Sequence, residues 1–270
     1  MKNFICKKPV ITMVVLLIVQ QVGISLDIGD SVWGQIPNRL VLGVIMIETM
    51  YIVTGKEIFI WTKKSGKYAL LRSSYALVLA GFSSIAVAVL MGSNNNFNYR
   101  VISYLLLSLC VGLCEEGLYR GVIVNGLVKV MPETKRGLCR AIVISGLIFG
   151  FSHVWRYIPV IKINPVSVIV QMLAKIIIMG AFGMVLSAIY LKTKNIWINM
   201  VIHALYDFLL FLPLINMELI EIKYVDATII MNLDVFLFKI IPAILFSIPN
   251  VIIALKILKK LNPSECIIWK

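Results

Sequence analysis

Residues 101–128, VISYLLLSLCVGLCEEGLYRGVIVNGLV, decide the fold of this chain. The run is apolar beyond the about 20 residues that carry a helix across a bilayer. Yet it holds Glu115, Glu116 and Arg120 near its middle. A helix this apolar belongs in lipid, and charges at its centre require a partner or a function. Seven further apolar runs surround it, at roughly 9–26, 36–54, 68–91, 138–158, 165–191, 196–214 and 235–256. Charged or turn-forming stretches separate them, such as TKKSGK at 62–67 and GSNNNFN at 92–98. The pattern predicts an all-α, polytopic transmembrane helix bundle with about eight spans. No repeat or linker divides it, so residues 1–270 read as a single membrane-embedded domain with 101–214 as its motif-bearing core.

Composition points the same way. Of the 270 residues, 60% are apolar and 14% charged, against roughly 45–50% and about 25% in soluble domains. A soluble fold of this size cannot hide such a surplus, because its exterior must remain largely polar. A soluble enzyme, a disordered tail and a disulfide-stapled module are excluded. The net charge of +13 would suggest nucleic acid in a soluble protein, but here it follows from topology and no nucleic-acid partner is expected. With the N-terminus cytoplasmic, eighteen Lys and Arg fall in the inner segments and only six in the outer ones (Arg39, Arg100, Arg156, Lys162, Lys223, Lys239). That bias places both termini in the cytoplasm. The acidic residues Asp27, Asp30, Glu218, Glu221, Asp226 and Asp234 fall outside.

MKNFICKK at 1–8 resembles the basic start of a signal peptide, but no small-residue cleavage pattern follows it. An uncleaved first span is expected. The five cysteines include no CxxC pair, so they indicate packing rather than a disulfide framework or zinc ribbon.

Three spans carry groups that lipid should exclude. The fourth holds Cys114-Glu115-Glu116-Gly117-Leu118-Tyr119-Arg120, the fifth Phe149-Gly150-Phe151-Ser152-His153, and the seventh His203-Ala204-Leu205-Tyr206-Asp207. Both histidines of the chain lie in these segments. Glu116 and Arg120 are four residues apart and share a helix face, so they can pair. Glu115 points about 100° away and remains available. His203 and Asp207 also share a face, and Phe149 lies one turn before His153. Any one of these polar groups could serve only to bind a neighbouring helix. Three such segments together point to a site.

Two chemistries fit these groups. Glu115, His153 and His203 form a His2Glu set that can hold zinc and leave a position for water. Without a metal, Glu115 can take a proton from water while the histidines stabilise an oxyanion. Both end in amide hydrolysis within the bilayer. HExxH is absent, so this is not a zincin helix.

Glu115-Glu116-x-x-x-Arg120, Phe149-x-x-x-His153 and His203-x-x-x-Asp207, in that order on three membrane helices, resemble the CAAX-protease and bacteriocin-processing family. These are intramembrane proteases also called Abi or type II CAAX endopeptidases. The resemblance covers about 101–214 and implies peptide-bond hydrolysis at a site reached from the cytoplasmic side. It implies that Glu115 activates the water, assisted by His153. His203 with Asp207 then stabilises the oxyanion or completes a metal-ligand set, while Glu116 and Arg120 support the site by pairing. The family is described both as metalloproteases and as metal-independent glutamate enzymes, so zinc stays open. Many members carry Asn where this chain has Asp207. An ionised Asp cannot donate to an oxyanion, though it can orient His203 or bind a metal.

The compact chain reads as a bacterial plasma-membrane protein, with a membrane-associated peptide or protein as substrate. A non-catalytic bacteriocin self-immunity or scaffold protein is the alternative. A proton- or ion-coupled transporter is disfavoured, because no second Gly/Pro-broken span pair occurs in matching halves. Lys175, near Gln171, is expected to face an interior cavity or to snorkel. Trp155, Tyr157 and Trp197 read as interfacial anchors, and Pro242 and Pro249 as kink points in the last span.

Overall fold

The computed structural model describes residues 2–26, 31–59, 62–90, 100–217, 225–230 and 232–269. The connector at 92–98 and the charges Asp27, Asp30, Glu218, Glu221, Lys223 and Lys270 lie outside the described residues. No strand occurs among those described. Eight principal helices follow one another: α1 (Pro9–Ser25), α2 (Val32–Thr54), α3 (Lys63–Leu90), α4 (Arg100–Val130), α5 (Lys135–Ser152), α6 (Pro165–Thr193), α7 (Ile196–Met217) and α8 (Leu233–Lys259).

Six of these, α2, α3, α4, α6, α7 and α8, are long and apolar enough to cross a bilayer. α5 qualifies only together with the 3-10 helix Trp155–Lys162, which leaves it at 54°. α1 has 17 residues, about 25 Å of helix, slightly short of a full crossing. The chain is an integral membrane protein. Its outward Leu, Ile, Val and Phe side chains face lipid, where only closed backbone hydrogen bonding is tolerated.

The fifth span ends earlier than its apolar run suggests. The Ser152 hydroxyl donates to the Phe149 carbonyl (2.7 Å), and His153 Nδ1 lies 2.7 Å from the same oxygen. Two side chains therefore occupy an acceptor that a continuing helix would use. Pro159 removes a further donor. Trp155–Lys162 has no buried residue, which fits Trp155 and Tyr157 as interfacial groups. Trp197 Nε1 donates to the Phe59 carbonyl at the start of α7 (3.0 Å). α8 runs continuously through Pro242 and Pro249.

α4 is continuous, but its hydrogen bonding widens to a π-helix over Gly117–Val124, immediately after the paired glutamates. π segments of this kind recur at functional sites. The Asn125 side-chain amide donates to the Arg120 and Gly121 carbonyls (3.1 and 2.8 Å) and to the Tyr190 hydroxyl (2.8 Å). It thus occupies acceptors in the widened turn. A Cβ on Gly121 would fall 2.2 Å from Met50 Sδ, so a side chain there would have to displace Met50 of α2.

The bundle is unequal along its length. Residues 116–128 of α4 and 185–191 of α6 are wrapped on every side, whereas 100–115 and 165–178 alternate between buried and exposed. On α7, Ile196 to Tyr206 is mostly buried, while 207–212 is only half-buried. The compact end carries both chain ends. Trp269 Nε1 donates to the Cys6 carbonyl (2.9 Å), Lys129 Nζ to the Trp269 carbonyl (3.4 Å), and Lys135 Nζ to carbonyls at the C-terminal end of α8. Cations at a helix C-terminus suit its dipole. All five cysteines are free, and burial raises the Cys266 thiol pKa, which keeps it unreactive.

α5 reaches α6 through small residues. A Cβ on Gly150 would meet the Ile176 carbonyl oxygen at 2.6 Å and the Gly180 nitrogen at 3.0 Å, and neither backbone atom can rotate away. Gly150→Val is expected to destabilise the protein by about 1–3 kcal/mol, as overpacking does, and to displace His153 less than one turn away. Thermal unfolding in detergent, with peptide cleavage measured alongside, checks both effects.

Candidate active site

The three polar segments meet where the compact half of the bundle gives way to the open half. Glu116 and Arg120 are fully buried and paired at 2.7 Å. Arg120 Nη2 donates to the Gly183 carbonyl (3.1 Å), and its guanidinium lies 4.6 Å from the Phe149 ring centroid. The expected i, i+4 pair is present, but Glu116 does more than pair. Its Oε1 lies 2.6 Å from His203 Nδ1, and its Oε2 accepts from Asn199 Nδ2 at 3.3 Å. Asn199 also donates to the Leu186 carbonyl on α6 (2.8 Å). Three helices are thus joined at one buried carboxylate, each of whose oxygens has a donor.

This network fixes His203. With Nδ1 held by Glu116, Nε2 faces Glu115 Oε2 at 3.7 Å and Asp207 Oδ2 at 3.6 Å. The carboxylate that engages Nδ1 is therefore Glu116, while Asp207 lies on the Nε2 side. His153 follows the same plan. Its Nδ1 can only donate to the Phe149 carbonyl, which turns Nε2 toward Glu115 Oε2 at 4.0 Å. Phe149 stands edge-on to Tyr119, His153 and His203, with centroids 4.9, 4.6 and 5.7 Å away. It forms the apolar wall expected of it. Phe182 closes the other side, edge-on to His203 and stacked on Tyr206.

The cluster is buried on one side and partly exposed on the other. The side chains of Glu116, Arg120 and His203 are 0–2% exposed, whereas Glu115, Asp207 and His153 are 16%, 18% and 24% exposed. Glu115 Oε2 is buried yet has no hydrogen-bond partner, with the two histidine Nε2 atoms turned toward it. A buried acceptor left unmade is costly, and this one sits where a water or a metal would bind.

The donor types fit zinc in kind. Each histidine has Nδ1 engaged by an oxygen and Nε2 directed inward, the arrangement that orients metal ligands. At 3.7 and 4.0 Å from Glu115, however, they are not drawn into a closed set. Among the described residues no group of three or more His, Cys, Asp or Glu is arranged to hold a metal ion.

Residues 95–209 match the family model of the Rce1-like proteins, type II CAAX prenyl endopeptidases. The motif-bearing core is similar to the Rce1-like family over these residues. The matched residues include all three polar segments and the helices that hold them. Comparison with curated proteins and with solved structures finds no match. The family so described is one of endopeptidases, and the similarity spans the carboxylate–histidine cluster.

Sequence reasoning missed Asn199, although it stands one turn before His203 and two turns before Asp207, so the three polar residues share one face of α7. It also missed Asn125 and Tyr190, whose roles depend on the π segment. Of the two placements expected for Lys175, the interior one is found and the snorkelling one is not. Lys175 is buried on α6 and within electrostatic reach of Asp207 and Glu115.

Proposed function

We propose that the chain is an intramembrane endopeptidase that hydrolyses a peptide bond of a membrane-associated peptide or protein. The observation that carries this reading is the unpartnered Glu115 Oε2 faced by His153 Nε2 and His203 Nε2. Glu115 takes a proton from a water held between it and His153, and the hydroxide adds to the scissile carbonyl carbon. The developing oxyanion is met by His203, which donates from Nε2 as an imidazolium whose charge Glu116 balances. The carbon–nitrogen bond then breaks as Glu115 returns its proton to the leaving nitrogen. Donors fixed before the reaction are worth more here than in water, because the site need not reorganise. Asp207 helps to hold His203 from the Nε2 side, and Arg120 keeps Glu116 in place.

If zinc is held, Glu115, His153 and His203 would hold it, and it would polarise the scissile carbonyl. Metal content decides this independently of activity. The zinc reading expects one ion per purified chain, lost in His203→Ala. Metal-free chemistry expects none, with cleavage resistant to chelators.

The charge bias supports a single membrane domain with both termini cytoplasmic. The function is tested with purified protein in liposomes. Membrane-anchored peptides are expected to be cut by the wild type and left intact by Glu115→Gln.

A further inference from the structure

The catalytic cup has a direction. The helices that carry it are wrapped along 116–128 of α4, 185–191 of α6 and most of the N-terminal half of α7, and open along 100–115, 165–178 and 207–212. Among the described residues, His153 caps the end of α5 opposite Lys135, and the partly exposed Glu115 and Asp207 lie with it around His203, toward the end where α4 begins and α5 and α7 finish. The termini and the basic connectors lie at the other end, where Trp269 is bonded to Cys6 and Lys135 to the end of α8. Cytoplasmic termini, expected from the charge bias, and cytoplasmic access, implied by the family resemblance, exclude one another in this arrangement.

The residues on the open side indicate how the site is reached. Ser167, Gln171 and Lys175 are buried polar residues at i, i+4 and i+8 on α6, a single stripe running from the open end toward Asp207 and Glu115. The segment 225–230 between α7 and α8 is fixed along this stripe. Gln171 Nε2 donates to the Asp226 carbonyl (2.8 Å) and its Oε1 accepts from the Asp226 nitrogen (3.0 Å). Asn164 donates to the carbonyls of Ala227 and Ile229 (3.1 and 3.0 Å). Val225 is buried among Val154, Val168 and Met172. A rim this well bonded is part of the bundle, and its Val225 packs with Val154, the residue after His153.

Eighteen cations against six set orientation more strongly than acidic residues can, because short basic loops stay inside. We infer that the cup opens to the non-cytoplasmic face. Its substrate is then a membrane-anchored peptide or protein that presents its scissile bond from the non-cytoplasmic half of the bilayer. This rests on the protease reading for the identity of the chemistry, and on geometry and charge for the side.

The test is labelling by a small membrane-impermeant thiosulfonate, read residue by residue by mass spectrometry so that the native cysteines are told apart. Thr228→Cys on the exposed rim and His153→Cys in the cup are expected to react in intact cells and to be protected in inverted membrane vesicles. Ser264→Cys, exposed at the terminal end, is expected to react only in inverted vesicles. The opposite pattern, or labelling of each from both sides, overturns the inference. His153→Cys reacting only from the Ser264 side overturns it as well. Thr228→Cys and Ser264→Cys spare the catalytic groups, so retained cleavage in them confirms folding. Reversed labelling with cleavage intact would defeat the side of access while leaving the protease reading standing.

Discussion

Replacing Glu115 by Gln is expected to abolish peptide cleavage while leaving the fold and membrane insertion intact. The amide keeps the shape of the side chain but cannot accept a proton from water. A positioned general base contributes about 10²- to 10⁴-fold, and no other carboxylate can stand in. Glu116 is committed to Arg120, His203 and Asn199, and Asp207 is turned to His203 Nε2 (3.6 Å), whereas Glu115 faces both histidines. Stability should change little, because Oε2 has no hydrogen-bond partner to lose. Initial rates on a membrane-anchored peptide, with thermal unfolding as control, separate the two effects. Undiminished cleavage would remove Glu115 from the chemistry and favour a non-catalytic immunity or scaffold role.

Arg120→Ala is expected to act through stability. Both members of the Glu116–Arg120 pair are fully buried, and breaking a buried pair by deleting one partner costs about 3–5 kcal/mol. The same change removes the bond to the Gly183 carbonyl and the contact with Phe149. Glu116 would then be free to shift, and His203 with it. Arg120→Lys should rescue only in part, since a point charge cannot reproduce the planar fork. A large drop in thermal stability together with lost activity is the expected result. An unchanged melting temperature would show that Glu116 does not depend on Arg120.

Much of this was legible because a membrane chain shows its charges sparingly. The apolar runs located all eight helices, and Glu115, Glu116, Arg120, His153, His203 and Asp207 stood out as groups that lipid does not accept. Spacing placed Arg120 on Glu116. It could not show that His203 Nδ1 also reaches Glu116, since that contact joins helices distant in sequence. The end of α5 at Ser152 was hidden for a different reason. Apolarity continues to Ile158, and the break comes from side chains capturing the Phe149 carbonyl. The π segment after Glu116 leaves no mark on hydrophobic periodicity, so the partnership of Asn125 with Tyr190 was invisible. Direction of access needed the fold, because only the packed bundle shows which half of each helix is wrapped.

Peptide-bond cleavage with Glu115 as base leaves its mark on the membrane proteins of the cell. The most direct measurement compares the membrane-protein termini of cells carrying the wild type with those of cells carrying Glu115→Gln at matched expression. At least one membrane protein or peptide is expected to carry a new terminus only with the wild type, and to persist as its uncut precursor with the variant. Identical termini in the two, with both proteins folded and inserted, would contradict it.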